Sequence, residues 1–195
     1  LTGQQTKPGG SVREVLNPEL LRRAQEADPI VVSALYERYQ RGIYRYLYYR
    51  VGDPQTAEDL TSEVFLRMIE ALSNYDNQDV SFQAWLFQIA RNISIDHYRK
   101  MGIQRNVQLE DNLPEQGTEP LELIAKELTS EKLRLALVEL PESQRDVIVM
   151  RFITGMPIGE VAQVLHKSED SVKGLQRRAL LALRDILVKW EVSYV

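Results

Sequence analysis

The stretch that decides the fold is Ile158-Gly159-Glu160-Val161-Ala162-Gln163-Val164-Leu165, then His166-Lys167-Ser168, then Glu169-Asp170-Ser171-Val172-Lys173-Gly174-Leu175. Ile158, Val161, Ala162 and Leu165 recur at three and four residues, the spacing of one helical face. After a short turn the period resumes with Val172, Leu175, Ala179, Leu180 and Leu183. Two amphipathic helices joined this tightly read as a helix-turn-helix. Ser168 suits the N-cap of the second helix, and Glu169 and Asp170 suit the positive end of its dipole. With about 100° per residue the core stripe centres on Val172, Ala179 and Leu183, so the opposite face carries Asp170, Lys173, Gly174, Arg177 and Arg178. Such a face can enter a DNA major groove: Lys and Arg reach phosphates or guanine edges, and Gly174 lets the backbone approach. A basic solvated helix has the same composition, so this stretch alone leaves both readings open.

Working outward, helical pattern resumes from about Leu121, and Pro141-Glu142 opens a helix bearing Val147, Ile148, Met150 and Phe152. Before it, residues 101–120 lose the period, and Gly102, Pro114, Gly117 and Pro120 punctuate an acidic run with Glu110, Asp111, Glu115 and Glu119. This reads as a linker. Upstream, apolar stripes are formed by Val31, Ala34, Leu35, Tyr39, Ile43 and Leu47, then by Ala57, Leu60, Val64, Met68 and Leu72. Gly52-Asp53-Pro54 separates these two helices, and turn formers fill residues 73–80. Ser81 can cap a third helix whose core face holds Phe82, Trp85, Leu86, Ile89, Ala90 and Ile93. The expected architecture is all-α: a flexible tail over 1–17, one small helical domain over 18–100, a flexible acidic linker over 101–124, and a second helical domain over 125–195.

The non-core face of the helix over 81–100 carries Phe87, Gln88, Arg91, Tyr98 and Arg99, expected to be exposed. Aromatics interleaved with arginines can stack unpaired bases while holding their backbone, at about 1–3 kcal/mol per stacked base. The alternative is that Phe87 and Tyr98 pack against a neighbouring helix. Glu58, Asp59 and Glu63 form a solvated acidic face or a docking surface for a basic partner. A metal site of the helical-bundle type would need a second acidic helix and a Glu-x-x-His element, which the sequence lacks.

Composition narrows the function classes. The chain has 195 residues, 44% hydrophobic and 27% charged, near the averages for globular proteins. Absence of cysteine excludes disulfides and thiolate chemistry, and suits a reducing compartment. His97 and His166 stand far apart, which favours structural roles, so no metal and no cofactor is expected. The sequence offers no Gly-rich phosphate loop and no nucleophile elbow. The net charge of −4 argues against indiscriminate coating of nucleic acid. No apolar run approaches the ~18–20 residues that span a bilayer, and the first ten residues lack a signal pattern, so a cytoplasmic protein is expected.

Three stretches together resemble the extracytoplasmic-function (ECF) group of bacterial sigma factors. They are Ala57-Glu58-Asp59-Leu60-Thr61-Ser62-Glu63-Val64-Phe65-Leu66, then Phe82-x-x-Trp85-Leu86-Phe87-x-Ile89-Ala90-Arg91-Asn92-x-x-x-Asp96-x-x-Arg99, then Leu140-Pro141-x-x-Gln144-Arg145-x-Val147 running on through the helix-turn-helix. The likeness spans about residues 28–187. It implies a non-enzymatic adaptor that binds core RNA polymerase and recognises and opens promoter DNA. By it, the first domain is sigma region two, docking on the clamp helices of the largest polymerase subunit through Glu58, Asp59, Ser62, Glu63 and Phe65. The loop over 74–80 and the helix after it would open the minus-ten element, using Asn74, Tyr75, Phe87, Arg91, Asn92, Asp96, Tyr98 and Arg99, with a flipped base held in a pocket. The second domain is sigma region four, reading the minus-thirty-five element through Lys167, Ser171, Lys173, Gly174, Arg177 and Arg178 and touching the polymerase flap. The acidic linker would thread a nucleic-acid channel until RNA displaces it. An anti-sigma factor is an expected partner. Ser62 departs from the usual glutamine, His166 from the frequent glycine of the turn, and Gly174-Leu175-Gln176 from Ser-Arg-Leu. Leu175 in place of arginine removes a possible DNA contact, so a promoter sequence does not carry over. An autonomous helix-turn-helix regulator and a metal-bundle enzyme are the other classes.

Overall fold

The computed structural model describes residues 18–76, 80–102 and 130–192. The expected tail over 1–17 lies outside them, as does the linker apart from Met101 and Gly102. In the first bundle, α1 (Pro18–Gln25), α2 (Pro29–Val51), α3 (Pro54–Ala71) and α4 (Phe82–Lys100) follow one another, with a 3-10 turn at Leu72–Asn74. In the second, α5 (Ser130–Val138), α6 (Glu142–Ile148), a π-helical turn at Val149–Ile153, α7 (Ile158–Leu165) and α8 (Glu169–Val192) do the same. Among the described residues there is no strand.

Each boundary has a local cause. α2 and α3 both begin with Pro at the first turn, where the missing N–H goes unnoticed, and both are capped by an aspartate. Asp28 accepts from the Ile30 N–H at 2.9 Å, and Asp53 from the Thr56 N–H at 2.7 Å. Their hydrogen bonds hold both carboxyls below the usual carboxylate range, Asp28 chiefly through Arg23 and Asp53 through Thr56. α2 stops at Gly52, whose φ of 82° is the left-handed conformation that glycine adopts without strain. Ser81 caps α4 by accepting from the Ala84 N–H at 3.2 Å.

Val31, Leu35, Ile43 and Leu47 of α2 meet Ala57, Leu60, Val64 and Met68 of α3 and Phe82, Leu86, Ala90 and Ile93 of α4 in one dry core. Ala34, placed on the α2 stripe by its spacing, is exposed instead. Continuous with that core, the second bundle contributes Leu137, Leu140, Val147, Ile148, Met150, Val161, Val164, Val172, Ala179 and Leu183. Buried Arg145 holds it together from an unexpected direction. Its Nε donates to the Leu137 carbonyl at 2.7 Å and its Nη2 to those of Val138 and Leu140 at 2.8 and 2.9 Å, satisfying the end of α5.

The two bundles are packed together, α4 against α7 and α2 against the π-helical turn and α5. The helix-turn-helix turns on His166, a non-glycine residue with φ 52° and ψ 45°. His166→Gly removes a left-handed Cβ and is expected to raise stability by about 0.5–1 kcal/mol, read by chemical denaturation.

Candidate nucleic-acid and polymerase interfaces

The turn of the helix-turn-helix sets how α8 is presented. The Lys167 N–H reaches back to the Ala162 carbonyl at 3.0 Å, closing α7, and the Ser171 N–H donates to Ser168 Oγ at 3.2 Å, opening α8. Gly159 lets α7 approach closely: a Cβ there would stand 3.1 Å from a Glu169 carboxylate oxygen. Val172, Leu175, Ala179 and Leu183 are buried as the spacing required. Lys167, Asp170, Ser171 and Lys173 are exposed, and a Cβ added to Gly174 would meet nothing within 4 Å. Lys173 pairs with Asp170 at 2.9 Å, and that hydrogen bond raises its pKa. Arg177 and Arg178 are half-buried on the shoulders of this face. The result is an open, small-centred surface with basic residues along it.

α4 differs from expectation. Phe87 is 1% exposed and Tyr98 8%, so neither offers a ring to solvent. Phe87 packs against Tyr46 with ring centroids 5.5 Å apart, and the Tyr98 hydroxyl donates to the Arg50 carbonyl. Tyr75 is also buried, edge-on to Phe82 and tilted against Trp85, its hydroxyl donating to the Val80 carbonyl at 2.9 Å. Burial pushes its phenol up to about 12. The physical reason is the number of neighbours: α4 touches α2, α3 and α7, so it buries more of its circumference than a single apolar stripe provides for. Asn74, Asn92 and Arg99 remain exposed, Arg99 lying 3.6 Å from Asp96.

Gln88 and Arg91, on the face assigned to DNA, are occupied by the second bundle. Gln88 Nε2 donates to the Gln163 carbonyl at 3.0 Å, and Gln163 Oε1 accepts from the Ser81 N–H at 3.3 Å. Arg91 Nε donates to Asp146 Oδ2 at 3.1 Å. Asp146, with no solvent exposure, also accepts from Arg50 and from the Tyr46 hydroxyl at 3.1 Å. Arg50 reaches Glu142 as well, at 2.7 Å. Burial alone would lower the Arg50 pKa, but the facing carboxylates of Asp146 and Glu142 hold it above the ordinary guanidinium value. Burial likewise pushes the Tyr46 phenol up. Position in sequence gave no signal for this cluster, in which Asp146 meets partners 55 to 100 residues away.

On α3, Glu58, Asp59 and Ser62 are exposed and Glu63 pairs with Arg67 at 2.6 Å. Phe65, expected on the same docking face, is buried with its ring edge-on to Tyr36 at 4.7 Å. The position a helix turn beyond Ser62 is instead Leu66, 62% exposed, with Ile69 42% exposed beside it. An apolar residue out of phase with the Val64 and Met68 stripe was the available signal for Leu66. No group of three or more His, Asp or Glu side chains among the described residues could hold a metal ion. No described helix is long and apolar enough to cross a membrane.

Residues 35–102 match the family model of sigma-70 region 2, and residues 136–185 that of sigma-70 region 4. Among curated proteins, the ECF RNA polymerase sigma factor BldN of Streptomyces coelicolor is 36% identical over 87% of this chain, which spans 65% of BldN's length. SigX of Bacillus subtilis, also an ECF RNA polymerase sigma factor, is 34% identical over 77% of this chain and 80% of its own. Among solved structures, CnrH in complex with the cytosolic domain of CnrY shares the fold, with a TM-score of 0.67 at 23% identity over 88% of this chain and 96% of that one. The chain therefore belongs to the sigma-70 family, in its ECF group.

The burial of the α4 aromatics is tested by stability. Phe87→Ala is expected to cost about 3–5 kcal/mol in chemical denaturation, as a core truncation does, whereas Arg99→Ala stays within about 0.5 kcal/mol of the parent.

Proposed function

We propose that this chain is a transcription initiation factor that binds core RNA polymerase and directs promoter-specific initiation, recognising and opening promoter DNA. The observation that carries this reading is the ordered pair of sigma modules, the second presenting an open basic helix face around Lys173 and Gly174. The chain performs no bond chemistry itself and works in the cytoplasm, where its polymerase is. Region two corresponds to residues 18–100, the linker to 101–124 and region four to 125–195. Family likeness to BldN and SigX supports these roles.

In this reading, region four reads the minus-thirty-five duplex through Lys167, Ser171, Lys173, Gly174, Arg177 and Arg178. Region two docks on the polymerase clamp through Glu58, Asp59, Ser62 and Glu63, with Leu66 as the apolar anchor and Phe65 supporting it from within. Asn74, Asn92, Asp96 and Arg99 meet the minus-ten strands, joined by Arg91 once it is released from Asp146. Tyr75, Phe87 and Tyr98 act from inside by shaping α4. An anti-sigma factor covers one or both faces in the idle cell; CnrH was solved with a second protein, the cytosolic domain of CnrY. Co-purification from the native host tests that partner, and resting cells without any inhibitor bound to the chain would count against it.

Run-off transcription with core polymerase on a genomic template pool is the direct experiment. Promoter-dependent transcripts are expected; no transcripts together with no core binding would end the reading. Binding of duplex promoter without polymerase would favour an autonomous helix-turn-helix regulator. Lys173→Ala with Arg177→Ala is expected to weaken duplex recognition by about 1–3 kcal/mol while leaving core affinity unchanged. Asp59→Lys is expected to do the reverse, measured by fluorescence anisotropy against labelled core enzyme.

A further inference from the structure

Three arginines on one side of α2 have no part in the polymerase and promoter contacts assigned above. Arg38, Arg41 and Arg45 are spaced by three and four residues, so they share a face of the helix, and all three are exposed. Each stands a turn from another like charge, an arrangement that weakens a helix instead of supporting it. Glu37 is exposed one turn before Arg41, yet no ion pair joins them, and among the described residues neither Arg41 nor Arg45 meets a carboxylate. The Arg38 guanidinium carbon lies 5.5 Å from the Tyr39 ring centroid. The three line a cleft of about 480 Å³ together with Gln83 and Phe87 of α4 and with Ile153 and Thr154 of the π-helical turn.

Gly42 stands among these arginines, in the interior of α2, where glycine weakens a helix relative to alanine. Neither conformation nor packing demands it. Its φ lies outside the left-handed region, and an added Cβ would stand in ordinary contact, 3.7 Å, with Phe87 Cζ and near nothing else. What the missing side chain does leave is room at the bottom of the cleft, between the guanidinium groups. Gln83 is partly buried and has no hydrogen-bond partner among the described residues, so its amide is available beside them. The Thr154 hydroxyl donates to the Met150 carbonyl at 2.7 Å, so the π-helical turn gives the cleft shape and no free donor.

We propose that this cleft binds a short chain of linked phosphates, either inorganic triphosphate or the polyphosphate tail of a nucleotide. Guanidinium forks match phosphate oxygens, and the volume is that of a small-molecule site. Arg38 and Arg45 stand about 10 Å apart along the helix, a span that orthophosphate or a lone carboxylate is too short to bridge. A nucleic-acid strand spreads its charge along its length, whereas linked phosphates concentrate theirs where the three arginines converge. Neither polymerase nor promoter is needed for such binding.

Isothermal titration calorimetry of the full-length chain, at about physiological ionic strength, compares sodium triphosphate, GTP and orthophosphate as probes. Triphosphate is expected to bind at least about tenfold more tightly than orthophosphate. The GTP arm tells the sources apart: tighter binding than triphosphate makes the ligand a nucleotide, equal or weaker binding an inorganic chain. Arg41→Gln with Arg45→Gln is expected to weaken triphosphate binding at least about tenfold, and Arg184→Gln, an exposed arginine of α8 outside the cleft, to leave it unchanged. Gly42→Leu keeps all the arginines and fills the room between them with a better helix former; it is expected to keep the helical circular dichroism and to lose triphosphate binding by a similar factor. Should that variant fail to fold, the arginine substitutions still decide. No binding of triphosphate, equal binding of triphosphate and orthophosphate, or undiminished binding after the paired arginine substitution overturns the site. Tighter binding of a single-stranded DNA oligonucleotide than of triphosphate, unchanged by Gly42→Leu, overturns it as well and makes the face a nucleic-acid track.

Discussion

A guanidinium with 1% exposure has to be neutralised where it sits, and at Arg50 that requirement joins the two halves of the molecule. Arg50 lies at the C-terminal end of α2, where the helix dipole favours a cation, with its carbon 5.6 Å from the Tyr46 ring centroid. Its own carbonyl is taken by Tyr98. The counter-charge comes from Asp146 and Glu142, on a helix of the other region. Removing one member of such a buried pair leaves the other stranded, typically at about 3–5 kcal/mol, although an apolar replacement of both would be far less disruptive. The pair therefore says less about net stability than about which surfaces meet.

Adjacent residues on α6 show how the arrangement is built. Arg145 turns into its own region and satisfies the carbonyls at the end of α5, while Asp146, about 100° further round the helix, turns out toward region two. One short helix thus anchors its region internally and presents that region's acidic contact externally. Because Arg145 is fixed at several carbonyls, Asp146 has little freedom to swing away without moving region four as a body. The contact between regions is consequently a rigid-body matter.

The outward faces of α8 and α4 stand in different conditions. On α8 the basic face around Lys173 is open, its centre kept low by Gly174. On α4 the corresponding face is partly internal: Phe87 and Tyr98 belong to the region-two core, and Gln88 and Arg91 are engaged by region four.

Sequence alone determined the helices and their ends, because periodicity, proline, glycine and capping side chains act within a few residues of where they stand. Asp28, Asp53, Ser81 and Ser168 cap their helices by contacts two or three residues away, and His166 ends α7 in the left-handed conformation. The exposed basic face of α8 was legible for the same reason, since that helix buries one continuous stripe. α4 was not, because its accessible face depends on how many helices surround it. Only tertiary structure could decide that Phe87, Tyr98, Tyr75 and Phe65 are internal, that Leu66 is external, and that Asp146 neutralises Arg50 and Arg91. Charge pairing across 55 to 96 residues leaves no periodic trace in a chain; it comes into being when separate helices meet.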